Sequence, residues 1–310
     1  MVKIDLVTGF LGAGKTTFLK KYARYLLSKG ENIGILENDF GAVNVDMMLL
    51  ADLMGDHCEL EMVSGGCDAD CHRRRFKTKL IAMGMCGYDR VIVEPSGIFD
   101  VDEFFDVLRE EPLDRWYEVG NVIAIVDANL EESLSKEAEY ILASEVANAG
   151  AIVLSHADEM PESQADKVVE HVNRALEQIK CPRRVDKEVL RKSTLSLTDE
   201  DFEKLVQCGY QFESYQKLDL EEKKGFESVY FMNVRMTEDE LRTKVENLMK
   251  DPTCGEIFRV KGFFQKEDGT WIQLNATHNG ITMKQIEKGQ EVIIAIGERL
   301  QQEKIAEYFQ

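Results

Sequence analysis

No run of about 18 apolar residues, the length a membrane-crossing helix needs, occurs in the 310-residue chain. The N-terminus, Met1-Val2-Lys3-Ile4-Asp5, lacks a charged stretch leading into a long apolar segment and a cleavage site. A soluble, cytoplasmic protein is the expectation. Positive charge is scarce: 38 Lys and Arg against 57 Asp and Glu leave a formal net charge of −19. Affinity for nucleic acid or anionic lipid rests on neutralising phosphates with cations, so neither is an expected partner. Internal repeats, low-complexity tracts and His-rich tracts are all absent, and the last absence argues against metal storage. Seven cysteines are scattered at positions 58, 67, 71, 86, 181, 208 and 254. An odd number in a chain too large to need stapling points to free thiols in a reducing compartment.

What is present is ordinary apolar content, 44% of residues, in a chain long enough to bury roughly 75% of its unfolded surface. Short apolar runs at Lys3 to Val7, Asn32 to Leu36, Arg90 to Val93, Val122 to Val126 and Ile152 to Leu154 predict strands. Helical periodicity at Lys15 to Leu27, Val101 to Leu108, Ser133 to Val146 and Ser163 to Ile179 separates them. Continuous apolar strands alternating with helices predict an α/β fold, a doubly wound, mostly parallel sheet covered on both faces. This domain is expected over residues 1–212, then a linker at 213–226, then a smaller α+β domain at 227–310. In the latter, one helix at Thr237 to Met249 is expected among antiparallel strands, with a terminal helix at Gln301 to Phe309.

The strongest chemical signal is Gly9-Phe10-Leu11-Gly12-Ala13-Gly14-Lys15-Thr16-Thr17, which fits Gly-x-x-x-x-Gly-Lys followed by Ser or Thr, between a strand and a helix. Glycines let backbone N–H groups and a helix N-terminus wrap phosphates, with Lys15 reaching the β- and γ-phosphates and the Thr16 hydroxyl ligating Mg²⁺. A phosphate loop also needs an acid on the Mg²⁺ side. Glu94 in Val91-Ile92-Val93-Glu94-Pro95-Ser96-Gly97 ends a buried strand, and Gly97 leaves a backbone N–H to meet the γ-phosphate.

These residues carry a resemblance. Thr8 to Thr17, then Glu37-Asn38-Asp39-Phe40-Gly41 and Glu94-Pro95-Ser96-Gly97, resemble the CobW family of P-loop GTPases, relatives of the urease and hydrogenase nickel-insertion GTPases. Val126-Asp127-Ala128, Phe258-Arg259-Val260-Lys261-Gly262 and Ala295-Ile296-Gly297 extend the likeness, the last two into the CobW C-terminal domain. The resemblance implies a GTP-hydrolysing metallochaperone that binds Zn²⁺, Co²⁺ or Ni²⁺ beside Mg²⁺. It would assist delivery to a client metalloprotein or cofactor-assembly protein, and a nucleotide-dependent homodimer belongs to the same expectation. Asp39 is expected in a mobile segment that senses the γ-phosphate, and Glu37 as a metal ligand.

The departures are informative. Family members usually carry Gly-Cys-x-Cys-Cys, whereas this chain reads Gly66-Cys67-Asp68-Ala69-Asp70-Cys71-His72, with Ala42 replacing a further acid. Cys67 and Cys71 keep a spacing found in zinc sites, with His72 and the acids at 37 and 39 as further candidate ligands, all on a loop between Glu37 and Cys71. Alternatively, Asp68 or Asp70 caps a helix and both cysteines are packing residues. The guanine-reading Asn-Lys-x-Asp is replaced by Ser155-His156-Ala157-Asp158. Asp158 keeps the carboxylate that accepts from guanine, and a preference for GTP is expected to survive, weakened. The altered motif leaves open a P-loop kinase or ATPase without transition metal, and a nucleotide-dependent adaptor is a third reading.

Overall fold

The computed structural model describes residues 1–39, 46–65, 69–97, 99, 101–217, 226–234, 236–266 and 268–309. Two compact units divide the chain, Met1–Leu218 and Asp219–Gln310, and the division falls within the segment 213–226.

In the first unit the strands are β1 (Val2–Thr8), β2 (Ile33–Asp39), β3 (Cys58–Ser64), β4 (Arg90–Pro95), β5 (Tyr117–Asp127), β6 (Ala151–Ser155) and β7 (Val189–Leu190). They form one sheet in the order β3-β2-β4-β1-β5-β6-β7, and every pairing is parallel. The helices are α1 (Lys15–Ser28), α2 (Asp46–Leu50), α3 (Ala69–Met83), α4 (Val101–Leu108), α5 (Leu113–Trp116), α6 (Lys136–Ala147), α7 (Glu162–Gln178) and α8 (Asp199–Leu205). Strands β4 and β6 are buried along their whole length, as the unbroken apolar runs require. Phe18, Leu19, Tyr22 and Leu26 of α1 pack against Ile35, Ile92, Ile123 and Val153 from four strands. Phe202 of α8 closes this cluster, its ring 5.4 Å from that of Tyr25. Each such side chain contributes roughly 1.5–3 kcal/mol by leaving water.

A charge is also buried here. Asp5 of β1 is 0% exposed and accepts from Arg90 Nη1 at 2.7 Å, Tyr22 Oη at 2.7 Å and the Asn121 amide at 2.8 Å. Arg90 in turn bonds Glu31 at 2.8 Å, so both buried ions are neutralised and hydrogen-bonded.

Strand β3 and helix α2 lie where the sequence predicted only loop. Glu59 and Glu61 interrupt the apolar pattern of β3, because that strand is the sheet's edge and buries alternate residues. The segment from Glu37 to Cys71, expected as a loop, therefore contains an edge strand and short helices, and Cys71 sits within α3.

The second unit has β8 (Phe226–Met232), α9 (Glu238–Leu248), β9 (Glu256–Gln265), β10 (Trp271–Thr277), β11 (Gly280–Ile286), β12 (Val292–Glu298) and α10 (Gln302–Tyr308). Its sheet has the order β11-β10-β9-β12-β8 with antiparallel pairings. Thr237 and Glu240 form a reciprocal cap at the start of α9, which buries Leu241, Val245 and Leu248 against Ile257, Leu274 and Ile293. Strand β11 was not anticipated: it is an edge strand, and none of its residues is fully buried.

Candidate functional site

In the first unit β1 lies between β4 and β5, while the chain runs from β1 through α1 to β2, beyond β4. In open parallel sheets, a crevice at the strands' carboxyl ends forms where the order of winding reverses. Gly9 to Gly14 occupy this place. Gly9 has φ of +148°, and a Cβ there would stand 2.3 Å from the Ile125 carbonyl oxygen, so only glycine lets the loop press against β5. Gly12 and Gly14 have φ of +82° and +93°. Gly14 is the N-cap of α1 and provides no side-chain cap, which leaves the first helical amides to face an anion. The Ala13 amide closes the turn onto the Phe10 carbonyl at 3.1 Å. Lys15, 7% exposed, donates its Nζ proton to the Gly9 carbonyl at 2.7 Å, while Thr17 is exposed.

The structure brings Thr16 and Glu94 together: the Thr16 hydroxyl donates to Glu94 Oε1 at 2.7 Å. Glu37 is the register partner of Glu94 across β2 and β4, so both carboxylates leave the same face of the sheet, and each is only 3% exposed. A hydroxyl beside closely spaced carboxylates is a hard oxygen set that suits Mg²⁺. Gly97 also arrives here, buried against the phosphate loop, its Cα direction facing the Leu11 amide.

The nucleobase side approaches from β6. A Cβ on Gly14 would lie 3.8 Å from that of Ser155, so the two loops adjoin. His156 adopts a left-handed φ of 58°, and its Nδ1 meets Asp127 Oδ1 at 3.1 Å. That hydrogen bond raises the imidazole pKa above its ordinary value, against the opposing effect of partial burial. Asp158 accepts from the Ser193 hydroxyl at 2.7 Å and from that of Ser196, and these bonds hold its carboxyl below the usual range. Sequence reasoning overlooked Ser193, Ser196 and Asp127 as members of this site. The available signal was the pair of serines just after the last strand of a parallel sheet, which must emerge at the same edge.

The expected transition-metal ligands are not assembled in this way. Cys67 lies outside the described residues, and Asp39 is described only through its backbone, as the last residue of β2 opposite Ser64. Cys71, half-buried in the first turn of α3, lines an open groove of about 520 Å³ with Met62, Ser64, Arg74 and Arg75. His72 is 0% exposed. Neighbouring residues on a helix point about 100° apart, so Cys71 and His72 face different surroundings. Among the described residues no three His, Cys, Asp or Glu side chains gather to share a metal, so Glu37, Cys71 and His72 do not converge.

Residues 3–184 match the family model described as CobW/HypB/UreG, nucleotide-binding domain. The chain belongs to the CobW/HypB/UreG family. This CobW-family chain is 31% identical over 176 residues to the zinc chaperone YjiA of Escherichia coli, covering 53% of the chain and 52% of YjiA. It is 30% identical over 169 residues to the zinc chaperone YeiR of the same organism, covering 53% and 49%. The chain thus spans about half the length of the curated relatives it matches. A crystal structure of the Zn(II)-bound YjiA GTPase from E. coli aligns over 99% of this chain and 98% of that one, with 23% identity and a TM-score of 0.38. No helix among the described residues is long and apolar enough to cross a membrane.

Proposed function

We propose that this CobW-family chain binds and hydrolyses GTP and couples that cycle to the handling of a transition metal for a client metalloprotein or cofactor-assembly protein. The observation that carries the reading is the Thr16–Glu94 bond at 2.7 Å, next to a buried Lys15 and an uncapped helix N-terminus. Lys15, the amides of Gly12, Ala13 and Gly14, and Thr17 hold the phosphates. Thr16 and Glu94 hold Mg²⁺, which when bound offsets charge on the phosphates. Gly97 offers its amide to the γ-phosphate and Asp39 senses it. Asp158, its free acceptor capacity oriented by Ser193 and Ser196, reads the base with His156 alongside. Adenine would turn an acceptor toward that carboxylate where guanine turns donors, and this favours the GTPase reading over the kinase or ATPase one.

Zinc is the cargo that the names of the two E. coli relatives favour over cobalt or nickel, with Cys67 and Cys71 as the ligand candidates. Residues 1–212 form the GTPase domain, 213–226 the linker and 227–310 the CobW C-terminal-like domain of a cytoplasmic protein that dimerises with nucleotide bound. The test has two arms. Mg²⁺–GTP should bind more tightly than Mg²⁺–ATP, with Lys15→Ala abolishing turnover and greatly weakening triphosphate binding. Zn²⁺ affinity, measured by competition with a chelating dye, should change several-fold when Mg²⁺–GTP is added, since ligands of a shared segment affect one another reciprocally. A Cys67→Ala, Cys71→Ala double variant should lose the metal and keep the nucleotide. Equal ATP and GTP affinity would favour the kinase or ATPase reading, and unchanged Zn²⁺ affinity in the double variant would remove those cysteines from it.

A further inference from the structure

The basic run on α3 stands out in an acidic chain and takes no part in the chemistry above. This helix lies beside β3 and runs the opposite way: Lys79 Nζ pairs with Glu61 at 2.7 Å, and Arg75 Nη1 donates to the Ser64 carbonyl at 2.9 Å. Cys71, Arg74, Arg75, Thr78, Lys79 and Ala82 recur at helical spacing and form one stripe, which with Met62, Val63 and Ser64 lines the groove of about 520 Å³. The stripe extends about 16 Å at ~1.5 Å per residue, room for about five residues of extended chain at ~3.3 Å each. Arg73 and Lys77 are both neutralised by Glu110 at 2.6 Å. Arg74 and Arg75 are exposed, and neither has a carboxylate partner among the described residues.

The strand beside them offers unpaired backbone. Strand β3 pairs only with β2 among the described strands. Cys58 exchanges both its backbone hydrogen bonds with Gly55, at 3.1 and 3.2 Å, while the carbonyl of the preceding His57 accepts from Ile33 of β2. Backbone groups alternate between a strand's two edges, so those of Leu60, Met62 and Ser64 face outward as those of Cys58 do. The bond from Arg75 to the Ser64 carbonyl agrees with this alternation. Among the described residues nothing pairs with the outward groups of Leu60 and Met62 or with the Ser64 amide.

We propose that this groove docks an extended acidic segment of a partner polypeptide, which adds as a further strand on β3 and lays its carboxylates on Arg74 and Arg75. A strand's side chains alternate between two faces, so acids at every second position would all meet the α3 stripe. A guanidinium takes a carboxylate through two parallel N–H bonds. The chain's net charge is −19, yet screening confines a short segment's interaction to about 8 Å at physiological salt, where these cations lie. The edge calls for a polypeptide over a nucleic acid or a lipid, because its alternating donors and acceptors match another backbone. A second copy of this chain fits worse: it would bring the same cations face to face, and its β3 acids are engaged, Glu61 with Lys79 and Glu59 with Tyr88. The inference depends neither on nucleotide hydrolysis nor on bound metal.

The experiment uses the full chain without nucleotide and a short fluorescein-labelled peptide alternating Glu and Val, followed by anisotropy. Binding is expected, and it should weaken as salt is raised. At least tenfold weaker binding is expected when Lys replaces Glu in the peptide, and when the protein carries Arg74→Glu with Arg75→Glu. N-methylation of one of the peptide's two alternating sets of amides should cost as much, and of the other set little, because only one set faces β3. Melting followed by circular dichroism checks that the double variant is folded, and the N-methylated peptides test edge pairing on unaltered protein. No binding of the Glu–Val peptide overturns the inference. Equal affinity for the two N-methylated peptides overturns strand addition, and undiminished affinity in the folded double variant removes the arginines. A dimer in light scattering that the double variant loses and the acidic peptide leaves intact would give the groove to a second copy and overturn the acidic partner.

Discussion

Replacing Gly97 by alanine adds one methyl group at the point where the segment after β4 meets the phosphate loop. That carbon would stand 2.7 Å from the Leu11 nitrogen and 2.9 Å from the Leu11 Cα, whereas ordinary contact begins near 3.4 Å. The shortfall is about 0.7 Å (3.4 minus 2.7), and the atoms met are backbone, which cannot rotate aside. Gly97 is not in the left-handed region, so the whole penalty is spatial. Overpacking of this kind costs roughly 1–3 kcal/mol of stability in the nucleotide-free protein. The effect on binding should be separate and larger than a mild loss of fold would cause. A loop displaced by several tenths of an ångström misaims its amides, and a hydrogen bond to a charged group is worth about 1.5–3 kcal/mol. Losing the equivalent of one such bond weakens GTP binding by roughly ten- to a hundredfold. Fluorescent GTP-analogue titration would give the affinity and urea unfolding the stability. Gly87→Ala is the control: its φ of +77° makes alanine strained, yet nothing lies within 4 Å, and Gly87 sits near Asn32 at the opposite end of the strands. It should cost stability, about 1 kcal/mol or more, and leave GTP affinity alone. Affinity within twofold of wild type in Gly97→Ala, or an equal loss in Gly87→Ala, would refute the argument that Gly97 seats the phosphate loop.

Three further outcomes follow from the base side of the site. Asp158→Asn should narrow the preference for GTP over ATP by removing the charge that guanine donors address, and a Ser193→Ala, Ser196→Ala double variant should do so less strongly because the carboxylate remains; competition binding with both nucleotides measures each. The His156 pKa is raised by its bond to Asp127, so the paired imidazolium is fully formed below the ordinary value of about 6.5 and is lost as pH rises through the raised one. Asp127→Asn should bring the imidazole titration, followed by NMR, back down toward that ordinary value, and an unmoved titration would mean that the hydrogen bond is not its cause.

Local chemistry alone determined a good deal of this protein. The phosphate loop was legible because its demands are short-range: glycines where φ is positive, a lysine at the helix start and a hydroxyl next to it. Helix α4 was legible to the residue, Val101–Leu108, because an amphipathic stripe needs no knowledge of what covers it. Strands buried on both faces read as unbroken apolar runs, which is why β4 and β6 stood out, whereas β3 and β11 at sheet edges mix polar and apolar residues and did not. Tertiary structure decided everything that depends on distant segments meeting. It set Glu37 beside Glu94, brought Ser193 and Ser196 to Asp158, and pressed Gly97 on Leu11. It also turned Cys71 toward a groove while burying His72, two neighbours in sequence that a helix sends in different directions. Glu145 shows the reason most plainly. In sequence it is one of three glutamates in α6, and only the fold removes water from around it, leaving it 1% exposed.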